Sequence, residues 1–245
     1  MMPSSSATNI WAIVPSAGSG QRMNNTIPKQ YLELDGSLVI EQTLSTLLAE
    51  DKIHHITVCV AKTDQHWDKL NLEKQTRVSS VVGGATRADS VLNGIRAISD
   101  RASADDWLLV HDAARPCLSS SMLLSFIEQL SSDQVGGILA MRSNDTVKFA
   151  KQADTSDNRI EKTLDRNKVW YAQTPQMFRY GLLKKSLEQA IESGASITDE
   201  ASAIEMAGHN PKLISGESKN IKITRAEDLE LASLLIKGRD KDKLK

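Results

Sequence analysis

The sequence predicts an α/β fold in which helices cover both faces of a mostly parallel sheet. Three observations carry that reading. Short Val-, Ile- and Leu-rich runs alternate with longer segments of helical period, a small-residue loop directly follows the first apolar run, and 245 residues at 40% hydrophobic content suffice for one sizeable core.

Ile10 to Pro15 is the first expected strand, and His55 to Ala61, Arg77 to Val82, Trp107 to His111 and Gly136 to Met141 are the later ones. Between them Leu38 to Glu50 sets Leu44, Leu47 and Leu48 on one helical face, Ala88 to Ala102 gathers Val91, Leu92, Ile95 and Ile98, and Met122 to Leu130 repeats the pattern. Residues 142–170 break the alternation: the stretch is polar, with few large apolar side chains, and is expected to be a loop or arm that packs on something other than the main sheet. Helical period returns at Tyr180 to Ser193 and Asp199 to Ala207. A strand-like Asn220 to Ile223 then leads into Thr224-Arg-Ala-Glu227, whose spacing is that of a capping box opening a last helix. Residues 1–9 are expected to be disordered, 10–237 to form one domain, and 238–245 to fray.

Lys plus Arg number 30 against 31 Asp plus Glu, so no global field attracts nucleic acid or an anionic membrane, and an anionic ligand needs a local cluster of cations. No run of about 18 apolar residues and no basic-then-apolar leader is present in the sequence, which favours a cytoplasmic protein. Cys59 and Cys117 lack metal-ligand or disulfide spacing and read as buried thiols.

The strongest chemical signal is Val14-Pro-Ser-Ala-Gly-Ser-Gly-Gln-Arg-Met23 followed by Pro28-Lys29-Gln30. Small side chains let backbone N–H groups approach an anion, and Arg22 and Lys29 add charge. Neither the Gly-Lys-Ser/Thr ending of a P-loop nor a full dinucleotide fingerprint is present. Gly83-Gly84 before Arg87-Ala-Asp-Ser90 is a second convergence of N–H groups, a hydroxyl and a cation. His111-Asp112-Ala-Ala-Arg115-Pro116 stands at a strand's carboxyl end, where ligands sit in open α/β sheets; Asp112 suits Mg²⁺ and Arg115 suits an anion. Asp199 and Glu200 read as acids at a helix N-terminus, and His111 as a satisfied strand-end residue. Lys222 lies among apolar neighbours, where a charge needs a partner. Several cations and one strand-end carboxylate around glycine loops form the profile of phosphoryl or nucleotidyl transfer.

These motifs, together with Asp145-Thr-Val-Lys148, Gln173-Thr-Pro-Gln176, Thr198-Asp-Glu-Ala-Ser202 and Ile221-Lys-Ile-Thr-Arg225, stand in the order seen in 2-C-methyl-D-erythritol 4-phosphate cytidylyltransferases, which the chain resembles from about Ile10 to Leu235. The resemblance implies a Rossmann-like nucleotidyltransferase domain that uses CTP and Mg²⁺ or another divalent cation, with residues 142–170 as a protruding β-arm joining two subunits in a homodimer. It implies transfer of CMP from CTP to 2-C-methyl-D-erythritol 4-phosphate, giving 4-diphosphocytidyl-2-C-methyl-D-erythritol and pyrophosphate in non-mevalonate isoprenoid biosynthesis. By the same resemblance Arg22, Lys29 and Lys222 are catalytic, and Ala17, Gly18, Gly20, Gly83 and Ser90 bind the nucleotide. Asp112, Arg115 and Thr174 stand on the substrate side, with Asp112 at the metal, while Thr146 and Arg166 reach over from the partner's arm. Two alternatives remain at this stage: a cytidylyltransferase for another polyol phosphate such as ribitol 5-phosphate, and a non-catalytic nucleotide-binding regulator. The chain departs from the common family pattern at Gln21, at Ala85-Thr86 and over Arg142-Ser-Asn144.

Overall fold

The computed structural model describes residues 8–18, 27–70, 72, 75–152 and 158–242. Its main sheet has seven strands: β1 (Ile10–Pro15), β4 (Ile53–Val60), β5 (Val78–Val82), β6 (Trp107–Val110), β7 (Gly136–Arg142), β10 (Trp170–Arg179) and β11 (Lys212–Ser215). Their order is β11-β7-β10-β6-β1-β4-β5. The pairs β1 with β4, β1 with β6, β4 with β5 and β7 with β11 are parallel, whereas β10 runs antiparallel to both β6 and β7. Two short hairpins stand outside this sheet, β2 (Glu33–Leu34) with β3 (Ser37–Leu38) and β8 (Val147–Ala150) with β9 (Ile160–Leu164).

Among the described residues the α-helices are α1 (Val39–Leu48), α2 (Arg87–Arg96), α3 (Ser120–Leu130), α4 (Tyr180–Glu192), α5 (Glu200–Met206) and α6 (Ala226–Asp242). The two-residue period of the strands sorts their side chains to opposite faces. Ala12, Val14, Trp107, Leu109 and Met177 pack with Leu44 and Leu47 of α1 and with Leu123, Phe126 and Leu130 of α3. Trp11, Ile13, Leu108, Val110 and Phe178 pack instead with Val91 and Ile95 of α2, Leu183 and Leu187 of α4, and Ile204 of α5. Both faces of the sheet are therefore covered, as the apolar runs of the sequence require.

Several expectations change. Trp170–Arg179 and Lys212–Ser215 are strands of the sheet that periodicity did not reveal. Asn220 to Ile223 is not a strand but a strap without strand pairing, fixed by the Ile223 N–H donating to Ala114 O (2.8 Å) and by burial of Ile223 beside Leu34 and Ala232. The last helix is closed at its start by Asp228 rather than Glu227: its carboxylate accepts from Thr224 N and Oγ1 and from Arg225 N, each at 2.8 Å. That helix spans Ala226–Asp242. Just before β1, Asn9 is held by its N–H donating to Asp106 Oδ1 (2.9 Å) and by its carbonyl accepting from Trp107 N. Among the described residues no helix is long and apolar enough to cross a membrane.

Gly94 sets how closely α2 lies on the sheet. A Cβ there would stand 2.8 Å from Ile13 Cγ2 and 2.9 Å from Cys59 Sγ, both in the packed interior. Overpacking of this kind costs about 1–3 kcal/mol, so Gly94→Val is expected to shift the urea unfolding midpoint down by a corresponding amount. An unchanged midpoint would show that the helix can back away freely.

Candidate active site

A cleft of about 190 Å³ opens at the carboxyl ends of β1, β5 and β6, the place where open α/β sheets hold ligands. Its floor is the run from Pro15 to Gly18, its walls include Lys29, Gln30, Gly84 to Arg87 and Ser90, and Asp112 to Ala114 and Lys222 close it. Gln30 shapes the small-residue loop from beneath, its Nε2 donating to Ser16 O (2.8 Å) and Gly18 O (3.3 Å). Both adjacent glycines are needed for close approach. A Cβ on Gly83 would stand 2.6 Å from Ala17 Cβ, so Gly83 seats one loop against the other, while a Cβ on Gly84 would collide with Asp89 at the start of α2; Gly84 also lines the cleft and donates its N–H to Ser90 Oγ (3.0 Å). Thr86, one of the departures from the family pattern, caps α2 by accepting from Asp89 N (3.1 Å), an interaction worth about 1 kcal/mol.

Asp112 is the centre of the site. It follows β6 directly, and the antiparallel register that sets Gln176 opposite Val110 brings Thr174 opposite Asp112. The Asp112 N–H donates to Thr174 Oγ1 (3.0 Å), and that hydroxyl lies 3.0 Å from His111 Nδ1. His111 Nε2 lies 3.2 Å from Arg115 O. Arg115 O can only accept, so Nε2 carries the proton and donates to it, and Nδ1 of the neutral ring accepts from the Thr174 hydroxyl. Fully buried and with both ring nitrogens committed, His111 is neutral, and burial pushes its pKa down to about 4. It braces the loop and has no free nitrogen for proton transfer.

Three cations face the Asp112 carboxylate: Lys222 Nζ at 2.8 Å and Arg115 Nε at 3.6 Å from Oδ2, and Arg87 Nε at 3.1 Å from Oδ1. Burial by itself would raise the Asp112 carboxyl, but Arg87, Lys222 and Arg115 overrule it and hold the group well below the usual carboxylate range. Arg87 also grips the buried Glu200, with Nη1 2.6 Å from Oε1 and Nη2 3.0 Å from Oε2. Lys29 Nζ donates to Ile223 O (2.9 Å), tying the glycine loop's flank to the strap that carries Lys222.

Of the sequence-predicted residues, Ala17, Gly18, Lys29, Ser90, Asp112 and Lys222 line one cleft. Gly83, Arg115 and Thr174 lie behind that lining: Arg115 is 9% exposed and donates from Nη1 to Asn220 O (2.7 Å), and Thr174 is 4% exposed. Gly20 and Arg22 fall outside the described residues, as does Gln21. Thr146 and Arg166 are exposed at the β8–β9 hairpin, where Arg166 Nη1 donates to Asn144 O (3.0 Å), and they do not line this cleft. Sequence reading marked Arg87 only as the cation of the second glycine loop, without assigning it a site role, and did not select Glu200 or Asn220. Glu200 resembled an ordinary first-turn acid, and Asp199 is indeed the cap of α5, accepting from Ser202 N (3.0 Å), but the Glu200 side chain turns to Arg87 instead. Asn220 donates from Nδ2 to Thr174 O (2.9 Å), linking the strap to β10; its only sequence signal was its place two residues before Lys222.

Comparison with known proteins places these features in a family context. Residues 10–238 match the profile of the family described as "IspD: 2-C-methyl-D-erythritol 4-phosphate cytidylyltransferase". The chain is 46% identical over 229 residues to the 2-C-methyl-D-erythritol 4-phosphate cytidylyltransferase of Pseudomonas aeruginosa, covering 93% of this chain and 96% of that one. It is 48% identical over 231 residues to the protein of that name from Dechloromonas aromatica, covering 94% and 98%. The crystal structure of the Francisella tularensis 2-C-methyl-D-erythritol 4-phosphate cytidylyltransferase superposes with a TM-score of 0.80 at 38% identity, covering 93% of this chain and all of that one.

The depressed His111 pKa carries a stability signature. An unfolded histidine titrates near about 6.5, so between that value and about 4 the unfolded chain binds a proton that the folded chain refuses. Stability is therefore lost as pH falls through this window, with a slope of up to about 1.4 kcal/mol per pH unit. His111→Gln removes that contribution, so urea unfolding at pH 7 and pH 5 is expected to show a smaller loss in the variant. Parallel pH profiles would contradict the assignment of a buried neutral imidazole.

Proposed function

This chain belongs to the 2-C-methyl-D-erythritol 4-phosphate cytidylyltransferase family, and we propose that it joins CMP from CTP to 2-C-methyl-D-erythritol 4-phosphate by means of a charge clamp built around Asp112. The observation that carries the reading is the convergence of Lys29, Arg87 and Lys222 on one glycine-lined cleft with a single ionised carboxylate among its described lining residues.

In the reaction an oxygen of the acceptor's phosphate attacks the α-phosphorus of CTP in line. The new P–O bond forms as the bond to the bridging oxygen breaks, and pyrophosphate leaves with that electron pair. A phosphate monoester is already largely ionised near neutral pH, so no general base is needed, in keeping with the committed nitrogens of His111. Charge grows on the α-phosphoryl oxygens and on the leaving group. Lys29 and Lys222, both at the cleft, are assigned to meet it as donors already in place before the reaction, and Arg22 is assigned the same charge-stabilising role from the sequence. Ala17, Gly18, Gly20 and Ser90 are assigned to the nucleotide, with Gly83 holding their loops together. Arg115 and Thr174 act from behind the lining, fixing the Asp112 loop and the strap.

The family generally uses a divalent metal. No group of three or more His, Cys, Asp or Glu among the described residues could hold an ion by itself. One cleft carboxylate beside a phosphate site nevertheless suits Mg²⁺, which keeps waters and binds through one or two carboxylates plus substrate phosphates. Asp112 would hold it, and the ion would supply further neutralisation of phosphate charge. We also propose that residues 142–170 join two subunits, because most side chains of β8 and β9 are exposed, Phe149 and Ile160 included. Thr146 and Arg166 would then serve the partner's cleft. We place the reaction in the cytoplasm.

Lys29→Ala and Lys222→Ala are each expected to lower kcat by about 10²-fold or more, as loss of one transition-state charge contact does, in an assay of pyrophosphate release. Near-normal turnover would remove that lysine from the clamp. The shared site is tested by mixing Lys222→Ala and Arg166→Ala subunits, each expected to be nearly inactive alone. The hybrid has one cleft with both residues intact and is expected to regain activity; a hybrid that forms and stays inactive would contradict the shared cleft.

A further inference from the structure

We propose that Glu200 is a positioning residue for nucleotidyl transfer: by gripping the outer fork of Arg87 it leaves Asp112 Oδ2 to Lys222 and so fixes that lysine at the cleft. The proposal rests on the reading of the Asp112 centre given above and extends it to a residue that does not line the cleft.

The geometry of Arg87 supports this role. A guanidinium is planar and rigid, with its donors in a fixed fork. Both outer nitrogens of Arg87 are taken by Glu200, at 2.6 and 3.0 Å, and the Nε that remains points to Asp112 Oδ1 at 3.1 Å. Once the fork is held, the line of the Nε–H bond is held too, and with it the rotation of the Asp112 carboxylate. Its other oxygen is left facing Lys222 Nζ at 2.8 Å. Glu200 is itself anchored to the core sheet. It opens α5, where Gln176 of β10, 1% exposed, accepts from Ala201 N (2.9 Å) and donates to Asp199 Oδ2 (2.8 Å). A continuous path of hydrogen bonds and ion pairs therefore runs from β10 through α5, Glu200, Arg87 and Asp112 to Lys222.

Charge balance favours the same conclusion. Arg87, Arg115 and Lys222 share two carboxylates, Asp112 and Glu200. Without the Glu200 charge, all three cations turn to Asp112. Arg87 is then free to place its fork bidentately on that carboxylate, the geometry an arginine prefers, and Lys222 loses its seat. Glu200 is 1% exposed, so water cannot replace its role as the second anion.

The test is a steady-state comparison with CTP and the acceptor. Glu200→Gln keeps the shape and removes the charge; kcat is expected to fall about tenfold with KM for CTP changed by less than about twofold. In an Arg87→Met background the same substitution is expected to have no further effect on kcat, because Glu200 acts through Arg87. Arg87→Lys, which keeps the charge but cannot reach both carboxylates as a fork, is expected to match Glu200→Gln in kcat even if the latter folds poorly. A Glu200→Gln variant with a lowered Tm but wild-type kcat, equal losses in the two backgrounds, or wild-type kcat in Arg87→Lys would each overturn the proposal. Asp112→Asn separates the two levels: if its turnover is near normal, the reading of the centre itself fails, whereas a strong loss there with an unaffected Glu200→Gln refutes only the positioning role.

Discussion

A carboxylate removed from water stays ionised only if cations surround it, and the arrangement around Asp112 follows from that constraint. Desolvation of an ion costs several kcal/mol even after relaxation, while one opposite charge at about 4 Å returns about 4 kcal/mol at an effective dielectric near 20. A single partner would barely offset burial. Three partners, Arg87, Arg115 and Lys222, settle the balance, and the carboxyl is held well below its ordinary range. The same three cations then need more anion than Asp112 provides, which is the place of Glu200 and, in a working enzyme, of the phosphates.

The fold meets this constraint through one strand of unusual direction. β10 runs against both its neighbours, so it carries Thr174 and Gln176 past the carboxyl end of β6 rather than away from it. Thr174 fixes the Asp112 backbone, Gln176 fixes the start of α5 and hence Glu200, and Asn220 ties the Lys222 strap to the same strand. Helices on both faces bury the sheet and keep these ends in register. Arg87 is thus tied through Glu200 and Asp112, and Lys222 through Asp112 and the Asn220 strap, to β6, β10 and α5, while Pro15 to Gly18 and Gly84 to Thr86 line the cleft with small side chains.

The sequence made the parallel half of the sheet legible because Ile10 to Pro15 and Trp107 to His111 are unbroken apolar runs, as strands buried on both faces must be. It hid β10, since Gln173, Thr174, Pro175 and Gln176 interrupt the apolar pattern, and those same polar residues build the site. It misread Asn220 to Ile223 as a strand because alternation of Ile221, Lys222 and Ile223 satisfies a two-residue period without any partner strand to pair with. Within the site, Lys29, Asp112 and Lys222 were visible through motif order. Arg87 was legible only as the cation of the second glycine loop, and its pairing with Glu200 was not, because a salt bridge between residues 113 positions apart leaves no local pattern. Gly83 and Gly84 show a finer limit: adjacent and chemically identical, the first is held against Ala17 and the second against Asp89, and only the second lines the cleft. Which neighbour each meets depends on the direction of the turn.

The central claim is that this charge clamp moves CMP onto a methylerythritol phosphate, and the most direct measurement is pyrophosphate release by the wild-type protein from CTP and Mg²⁺ with 2-C-methyl-D-erythritol 4-phosphate or ribitol 5-phosphate as acceptor. The account predicts turnover with the first acceptor and little with the second. Preference for ribitol 5-phosphate, or release with neither, would contradict it.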